Sequence, residues 1–493
     1  MRQSRSCLRG STTRVAKMLI VAATVVQTVQ AQPSEWSTPI NISSGHPRPE
    51  YPAMALGQDG NIFVVWDEQN QIPVGLNSQI FLCSYDGHEW GTPVALCDTG
   101  TTNWSPGIAV DSFGHPHVIW VGGPRDDMHT WYRRFDGLEW STPQVILPGA
   151  NWPRLGFDRE GILHLVGTTG YGAVYYQHDV TGWSFPTSIS DPLWEGLFPR
   201  IAIKSTDSVH TTFFAYDTIA VPVAYTQVYY REHDMQGWHP IVRITNDSSY
   251  HDFPDIVVDT AGSPVIVWSQ TFSPYPTRKL MLSTRVGQTW SVPLAITDST
   301  EATHPSIAID KTGTTHLVWS VVTQHVSQSR VMYSRNSGSG WTKPVDLSAD
   351  VPFAQNGLPG IQTDLDGTCH VIWLASADSG SLGSASIYYT RRTRTTDYAA
   401  ASTSVPQRTV LLQSYPNPFN PRTRIRYAIS VRCRVVLSVY NSLGQQVRVL
   451  VDDAMSAGYH EAIFDGSRLS SGLYLCRLQA GGVMQTIKLL LLQ

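Results

Sequence analysis

One pattern recurs seven times between Tyr51 and Trp373 and dominates this chain. Each copy contains a Pro, a short apolar segment, a turn with Asp or Gly, a second apolar segment that usually ends in Trp, an aromatic segment and Trp-x-x-Pro. Four short strands that repeat at a period of about 50 residues are the sequence signature of a β-propeller. The pattern therefore predicts an all-β fold with a seven-bladed propeller.

The series of outer strands begins one strand before the series of inner strands, so the two are offset within the repeats. The inner strands begin at Pro52, Pro106, Pro153, Pro199, Pro254, Pro305 and Pro359, and the outer strands begin at Trp36, Trp90, Trp140, Trp183, Trp238, Trp290 and Trp341. The first outer strand, Trp36 to Ile42, precedes every inner strand, whereas the last repeat stops at Ile387 to Arg391 without Trp-x-x-Pro. We expect the N-terminal strand to complete the seventh blade, since this closure removes an open sheet edge.

Two positions of each inner strand are expected to face the central channel, because side-chain direction repeats every two residues. The residue after the Pro is mostly small, but three consecutive repeats carry charge there: the set is Ala53, Gly107, Arg154, Arg200, Asp255, Ser306 and Gly360. Nearer the mouth, the residue before the Pro is mostly aromatic: Tyr51, Ser105, Trp152, Phe198, Phe253, His304 and Leu358.

These departures from the repeat predict a ligand site at the channel mouth. Guanidinium groups bind carboxylates or sulfates through paired hydrogen bonds, and aromatic rings stack on sugar faces. An acidic glycan would therefore bind at Arg154, Arg200, Asp255, Tyr51, Trp152 and His304. In the alternative interpretation, which stays open here, Asp255 neutralises the arginines in a structural network.

The N-terminal residues 1–31 are typical of a secretory signal peptide. They contain five basic residues and no acid, followed by an apolar segment from Met18 to Val26 and a small-residue end at Ala31. Its removal leaves 30 basic and 39 acidic residues, a net charge of about −9. An acidic mature protein is a poor candidate for binding nucleic acid, and no later segment is long and apolar enough for a transmembrane helix.

A second domain is expected at the C-terminus. We place the propeller at residues 34–392, a linker rich in Thr, Ala and Ser at 393–410, and a small immunoglobulin-like β-sandwich at 411–493. Four motifs carry a resemblance in this last region: YPNPFNP at 415–421, VYNSLG at 439–444, AGYH at 457–460 and SGLY at 471–474.

Together, these motifs resemble the C-terminal sorting domain of the bacterial type IX secretion system. The resemblance implies export across the inner and outer membranes, the secretion machinery as partner, and release or attachment at the cell surface.

The propeller repeats also resemble those of neuraminidases, which carry an Asp box, Ser-x-Asp-x-Gly-x-x-Trp. Ser283 to Trp290 and Ser334 to Trp341 keep Ser, Gly and Trp but replace Asp by Arg285 and Asn336. In that family the box is a folding device away from the active site, so the resemblance implies a sialidase-like architecture. Seven repeats depart from the six blades usual there.

Five histidines recur early in the second strand of the repeats: His117, His164, His210, His316 and His370. Equivalent positions in successive blades lie on a wide ring, whereas metal ligands must converge on one ion. We therefore interpret them as structural, as we do the repeated Trp at strand ends, and expect no metal or cofactor. Two disulfides, Cys83 with Cys97 and Cys433 with Cys476, are possible from their position in the chain.

Catalysis stays undecided at this stage. A sialidase would require three arginines, a Tyr nucleophile with Glu, and an Asp; candidate side chains are Asp67, Glu68, Asp126, Asp127, Asp217 and Tyr216. A polysaccharide lyase would require a base such as His251, His304 or Tyr216. The sequence thus predicts an exported propeller that recognises extracellular glycan or protein, with a glycoside hydrolase or polysaccharide lyase as alternative.

Overall fold

The computed structural model describes residues 35–69, 77–87, 89–97, 101–124, 128–148, 151–170, 172–179, 182–191, 196–205, 208–216, 225–272, 277–297, 301–323, 328–377, 384–392, 409–415, 417 and 419–492. Every helix or strand element in these residues is a β-strand. In this part of the chain there is no helix that could span a membrane. The predicted signal peptide, most of the predicted linker, and Asp126, Asp127 and Asp217 lie outside the described residues.

Residues 35–392 form seven antiparallel sheets that share one order of strands. We number them sheets 1 to 7 by their inner strands, which are β2 (Pro49–Leu56), β6 (Thr102–Val110), β10 (Asn151–Phe157), β15 (Leu197–Ser205), β20 (Tyr250–Val258), β25 (Ala302–Ile309) and β29 (Gln355–Thr363).

Two further strands follow in each sheet. The second strands are β3 (Ile62–Gln69), β7 (Pro116–Gly123), β11 (Leu163–Thr169), β16 (Ser208–Tyr216), β21 (Pro264–Phe272), β26 (Thr315–Thr323) and β30 (Cys369–Ser376). The third strands are β4 (Ser78–Tyr85), β8 (His129–Arg134), β12 (Gly172–Asp179), β17 (Thr226–Asp234), β22 (Thr277–Val286), β27 (Gln328–Asn336) and β31 (Ala385–Arg392).

The outer strands are short: β1 (Ile40–Asn41), β5 (Val94–Ala95), β9 (Gln144–Pro148), β13 (Gly182–Trp183), β14 (Thr187–Ser188), β18 (Gly237–Trp238), β19 (Val242–Arg243), β23 (Thr289–Trp290), β24 (Leu294–Ala295) and β28 (Val345–Asp346). Repeated four-stranded antiparallel sheets of this kind are typical of propeller blades.

The N-terminal strand pairs with the last strand of sheet 7, which confirms the pairing predicted from the phase of the repeats. Ile40 lies opposite Tyr389 and Asn41 opposite Tyr388. Glu35 adds an ion pair with Arg392 at 2.9 Å. At the other side of sheet 7, Gln362 donates a hydrogen bond to the carbonyl of Met54 in sheet 1. Both ends of the repeated region therefore contact each other.

Every inner strand contains the same β-bulge at the residue before its Pro. In sheet 1 the register advances from Glu50 opposite Asp67 to Ala53 opposite Val65, which leaves one extra residue on β2. The seven residues before the prolines are the only described non-glycine residues with positive φ, and their φ angles lie between 44° and 54°. A residue before Pro normally avoids this region, so the bulge is a strained feature that each sheet repeats.

The core consists of apolar side chains packed between neighbouring sheets. The Trp residues at the ends of the second strands are almost completely buried: Trp66, Trp120, Trp268, Trp319 and Trp373. Their burial agrees with the structural role predicted for them.

The five recurring histidines are part of a repeated hydrogen-bonded unit. Each Nδ1 lies 2.6 to 2.9 Å from a Tyr hydroxyl of the third strand in the same sheet; the partners of His117, His164, His210, His316 and His370 are Tyr132, Tyr175, Tyr230, Tyr333 and Tyr389. In four of them Nε2 faces the Asp of the hairpin turn, as in His164 and Asp158 at 3.1 Å. The histidines are satisfied within the fold, as predicted.

The Tyr of each unit also contacts the outer-strand Trp of the next sheet. Ring centroids of Tyr175 and Trp238 lie 4.9 Å apart in an edge-on arrangement, and four other sheets repeat the contact. In sheets 1 and 5 both members of the His–Tyr pair are apolar instead: Phe63 with Leu82, and Val265 with Leu282. The pair is therefore present or absent as a whole, since either polar partner alone would be buried without its hydrogen bond.

None of the five described cysteines takes part in a disulfide, so neither of the two possible bridges forms. Cys83 packs in the cluster between sheets 7 and 1, whereas Cys97 packs between sheets 1 and 2, on the opposite face. Cys476 lies opposite Val439 in the C-terminal sheet, far in register from Cys433. Side chains that point to opposite faces of one sheet cannot bridge.

Residues 409–492 form two antiparallel sheets around their own buried core. The first sheet contains β32 (Val410–Tyr415), β33 (Arg422–Ile429) and β36 (Gly458–Asp465), and the second contains β34 (Cys433–Asn441), β35 (Gln446–Met455), β37 (Gly472–Ala480) and β38 (Val483–Leu491).

Deletion of residues 35–42 is expected to lower the melting temperature and to promote aggregation. The deletion removes β1 and the Glu35–Arg392 ion pair, so the edge of β31 would be exposed. Differential scanning calorimetry and light scattering measure both effects. A truncated protein that is as stable and as monodisperse as the parent would contradict the closure.

His164→Val is expected to destabilise the fold by about 1–3 kcal/mol, because it removes the ring that contacts both the buried Tyr175 hydroxyl and Asp158. Adding Tyr175→Leu should recover part of this loss, since sheet 5 accommodates Val265 and Leu282 at the same positions. A double-mutant cycle by chemical denaturation measures the coupling. Additive effects of the two substitutions would show that they do not act as a unit.

Candidate functional site

The seven inner strands surround one central cavity of about 460 Å³. All seven residues that follow the prolines line it: Ala53, Gly107, Arg154, Arg200, Asp255, Ser306 and Gly360. The sequence placed these positions on the channel face, and the structure agrees. The charged layer predicted from the sequence therefore exists as one group of side chains around the axis.

An aromatic collar is built from residues that precede the prolines, and three of its members, Tyr51, Phe253 and His304, line the cavity. We define the collar as Tyr51, Trp152, Phe198, Phe253 and His304. Consecutive rings are in contact, with centroid distances of 4.3 Å for Trp152 and Phe198, 5.4 Å for Phe198 and Phe253, and 4.0 Å for Phe253 and His304. Tyr51 reaches Trp152 at 5.4 Å. The small side chain of Ser105 in sheet 2 leaves room for this contact.

The bulge explains why these rings meet. Positive φ before each Pro turns the backbone so that the side chain leaves the regular alternation of the strand. Because the turn is repeated in all seven sheets, the side chains converge at one end of the cavity.

Arg154 and Arg200 lie in neighbouring sheets and have different partners. The Nε of Arg200 lies 3.8 Å from Oδ1 of Asp255. Arg154 donates only to the carbonyl of Pro153, at 2.8 Å, and no carboxylate of the described residues lies within ion-pair distance. Burial, together with the charge of Arg200, lowers the pKa of Arg154 to about 9, although Asp255 opposes the shift. The layer thus holds two cations and one anion.

Asp255 has a structural role in addition to its charge. Its carboxylate accepts hydrogen bonds from the backbone N–H of Ile256 at 3.1 Å and of Ile307 at 3.0 Å, so it connects sheets 5 and 6. Burial raises its pKa, and Arg200 and these N–H groups oppose that shift. The structure thus supports the network interpretation for Asp255 and Arg200, while Arg154 remains outside it.

Two carboxyl groups face each other beside Tyr51. Glu50 lies directly opposite Asp67 in the register of β2 and β3. Burial raises the pKa of both groups, and for Asp67 the charge of Glu50 adds to the shift. Burial also raises the pKa of Tyr51, with contributions from Glu50 and Asp67. Tyr51 is therefore a protonated phenol next to two carboxyl groups whose pKa values are both raised.

This acid pair is specific to sheet 1. The six equivalent cross-strand pairs are Trp104 with Val121, Asn151 with Thr168, Leu197 with Phe214, Asp252 with Ser269, Thr303 with Ser320 and Gly357 with Leu374. Like charges directly opposite each other destabilise a sheet. Sequence reasoning named Asp67 but missed Glu50; the available signal was that Glu50 and Asp252 alone are acidic two residues before the Pro.

The other candidate bases differ in their surroundings. His304 lies in the collar, and burial, with the charges of Arg278 and Arg200, lowers its pKa to about 4, so it is neutral at pH 7. His251 is fully buried; its Nδ1 accepts the Trp268 indole N–H and its Nε2 lies 2.9 Å from Asp247. Both ring nitrogens of His251 are therefore engaged within the fold. Tyr216 is 39% exposed at the end of β16 and does not line the cavity.

Glu68 does not join the acid pair. Its Oε1 accepts the backbone N–H of Arg48 at 2.9 Å, and burial raises its pKa to about 7.

One group of potential metal ligands occurs in the described residues, away from the mouth. Ligand atoms of Glu232, Asp234 and His239 lie within 4.8 Å of one another. However, Glu232 already pairs with Arg285 and accepts a hydrogen bond from Tyr230 at 2.5 Å. These contacts fit an ion-pair network, and we assign no metal to it.

Comparison with protein families identifies the C-terminal region. Residues 413–492 match the family described as Secretion system C-terminal sorting domain. The type IX secretion system therefore exports this protein to the cell surface or the extracellular space. A search of curated proteins gives no significant match.

Comparison with solved structures finds proteins of similar fold. An ulvan lyase bound to -[GlcA(1-4)Rha3S]- has a TM-score of 0.52 and 10% identity, and the match covers 73% of this chain and 98% of that chain. A second structure of ulvan lyase matches with the same TM-score, 11% identity and the same coverage. An α-L-arabinanase of Penicillium chrysogenum complexed with arabinobiose has a TM-score of 0.40 and 14% identity over 72% and 98% of the two chains. At these identities, the similarity to the lyase supports the fold alone.

Proposed function

We propose that this chain is an exported propeller protein that binds acidic glycans at the mouth of its central channel. In this proposal sheets 1 to 7 are the blades of one ring closed by β1, and residues 411–493 are an immunoglobulin-like sandwich behind a linker at 393–410. Residues 1–31 are a signal peptide that is absent from the mature protein. The proposal assigns ligand contacts to Arg154 and to the collar.

The observation that carries the proposal is the state of Arg154. It is a half-buried cation that lines the cavity, and no carboxylate of the described residues lies within ion-pair distance of it. A buried charge without a counterion is costly, so the site favours an anionic group from outside. A carboxylate or sulfate accepts paired hydrogen bonds from a guanidinium, which makes Arg154 the anchor and Arg200 a supporting charge.

Charge distribution supports the same ligand class. Residues 35–392 contain 19 basic and 34 acidic residues, so the ring as a whole repels anions. The two arginines at the axis, Arg154 and Arg200, are an exception to this net negative charge. A local charge opposite in sign to that of the whole protein favours binding of an anion there. The collar adds aromatic faces suited to sugar rings. An ulvan lyase of similar fold was solved with -[GlcA(1-4)Rha3S]-, which is consistent with this ligand class.

Arg154→Met is expected to weaken binding of an acidic glycan about 10- to 150-fold, because one charge-assisted hydrogen bond contributes about 1.5–3 kcal/mol. Its melting temperature should stay close to that of the parent, since no protein carboxylate loses a partner. Isothermal titration calorimetry with uronate-containing and sulfated oligosaccharides, preceded by a glycan array, measures the affinity.

Two controls separate binding from stability. Arg159→Ala removes an arginine of the same sheet that lines a second cavity, away from the collar, and should change affinity little. Arg200→Met should lower the melting temperature, because the buried Asp255 loses its ion pair. If the parent binds no acidic glycan, or if Arg154→Met binds as tightly as the parent, the proposed site is wrong.

A second candidate function, a glycoside hydrolase or polysaccharide lyase acting on the same glycans, is favoured by the acid pair. Glu50 and Asp67 are a pair of opposed carboxyl groups, which none of the other six sheets has at the equivalent position, and Tyr51 beside them lines the cavity. Groups with perturbed pKa values in a cleft are typical of acid–base catalysis. In this alternative, Tyr51 and the carboxyl pair exchange protons with a glycan that Arg154 holds by its anionic group.

If the protein is an enzyme, Tyr51→Phe and Glu50→Gln should reduce turnover by about 100-fold or more while affinity changes little, since general acid–base catalysis contributes 10²- to 10⁴-fold. Reducing-end assays and absorbance of unsaturated uronates measure hydrolysis and elimination. Lack of turnover by a parent that binds the glycan would assign the protein to recognition alone.

A further inference from the structure

Charge is divided unequally between the two parts of this chain. Residues 409–493 contain 9 basic and 4 acidic residues, whereas residues 35–392 contain 19 basic and 34 acidic ones. The sorting tail is thus a cationic body attached to an anionic one. Opposite net charge favours association over short distances and is screened by salt.

Three arginines of the tail lie on one face of β33. Arg422, Arg424 and Arg426 alternate along the strand and therefore point to the same side. The Nε of Arg422 donates to Asp465 at 2.8 Å, and Arg424 lies 3.9 Å from Glu461, both on the neighbouring strand β36. Arg426 lies opposite Glu461 in register, but its guanidinium turns to a different partner.

That partner is a hairpin turn of sheet 1. Nη1 of Arg426 donates a hydrogen bond to the carbonyl oxygen of Asp86 at 2.6 Å. The next residue, Gly87, has φ of 93°, and a Cβ added there would lie 2.7 Å from the same Nη1. The guanidinium therefore occupies the space that only a glycine leaves open.

Two charges of the tail, Arg426 and Lys488, act on acidic residues at this end of the sheets. Burial raises the pKa of Asp59, and the charge of Arg426 opposes that shift. The pKa of Asp136 is lowered first by the Glu139 backbone N–H and further by the charge of Lys488. Asp59, Asp86 and Asp136 all belong to hairpin turns of sheets 1 and 2. The acidic turns thus form a surface that matches the cationic tail.

We propose that the sorting tail docks on these hairpin turns through Arg426, so that the export signal and the propeller move as one body. The turn at Asp86 follows β4, at the end of sheet 1 that also contains the hairpin between β2 and β3. The bulge at Tyr51 lies near the opposite end of β2. The docked tail therefore leaves the channel mouth clear. This inference does not depend on glycan recognition.

Small-angle X-ray scattering of the full mature chain tests the docking. We expect the parent to be compact at low salt and the maximum dimension to increase in Arg426→Ala and in Gly87→Ala. Each variant has a matched control. Arg424→Ala removes a neighbouring arginine that pairs within the tail, and Gly60→Ala adds a side chain to a turn glycine with φ of 84° and no atom within 4 Å.

The parent should also expand when sodium chloride is raised from 50 mM to 500 mM. Thermal melting of every variant verifies that both parts remain folded, since Arg426 and Gly87 lie at the surface of their own sheets. The inference is overturned if Arg426→Ala and Gly87→Ala scatter like the parent, or if the two controls expand to the same extent.

Discussion

The bulge before the proline of every inner strand is the constraint on which the channel mouth depends. Seven non-glycine residues adopt positive φ there, each followed by Pro. Such conformations cost about 1–3 kcal/mol each and persist where the surrounding structure enforces them. Here the positive φ is held by the pairing of the first and second strands on both sides of the bulge, as between β2 and β3. Ring contacts among the displaced side chains stabilise it further. The repeated bulge therefore orients both the rings of the collar and the charged side chains that follow the prolines.

Much of this architecture follows from the sequence, because repetition multiplies a weak signal. The Pro positions identified the inner strands, the offset of Trp36 identified the closing strand, and period-two alternation placed Arg154 and Arg200 on the channel face. None of these steps requires knowledge of distant contacts. They use only the local alternation of a strand and the equivalence of positions between repeats.

Contacts between side chains of different strands could not be predicted from the sequence. Alternation cannot indicate that Tyr51 passes Ser105 to reach Trp152, since the path depends on the bulge and on the size of the neighbouring side chain. The pairing of Glu50 with Asp67 requires the register of two strands. Arg200 and Asp255 were recognised as charges, but only the backbone N–H of Ile307 reveals that Asp255 also joins two sheets. Likewise, the sequence offers His251 as a candidate base but does not reveal that Trp268 and Asp247 engage both of its ring nitrogens.

The seventh sheet combines the first strand of the repeated region with its last three. In the chain, β1 lies about 350 residues before its partner β31, so sheet 7 cannot be completed until nearly all of the repeated region has been synthesised. Before that moment the chain presents unpaired strand edges at both ends, a state prone to intermolecular pairing. Completion of the fold is thereby linked to completion of the chain. Because β31 directly precedes the segment that leads to the sorting tail, sheet 7 can be completed only just before the export signal itself is synthesised.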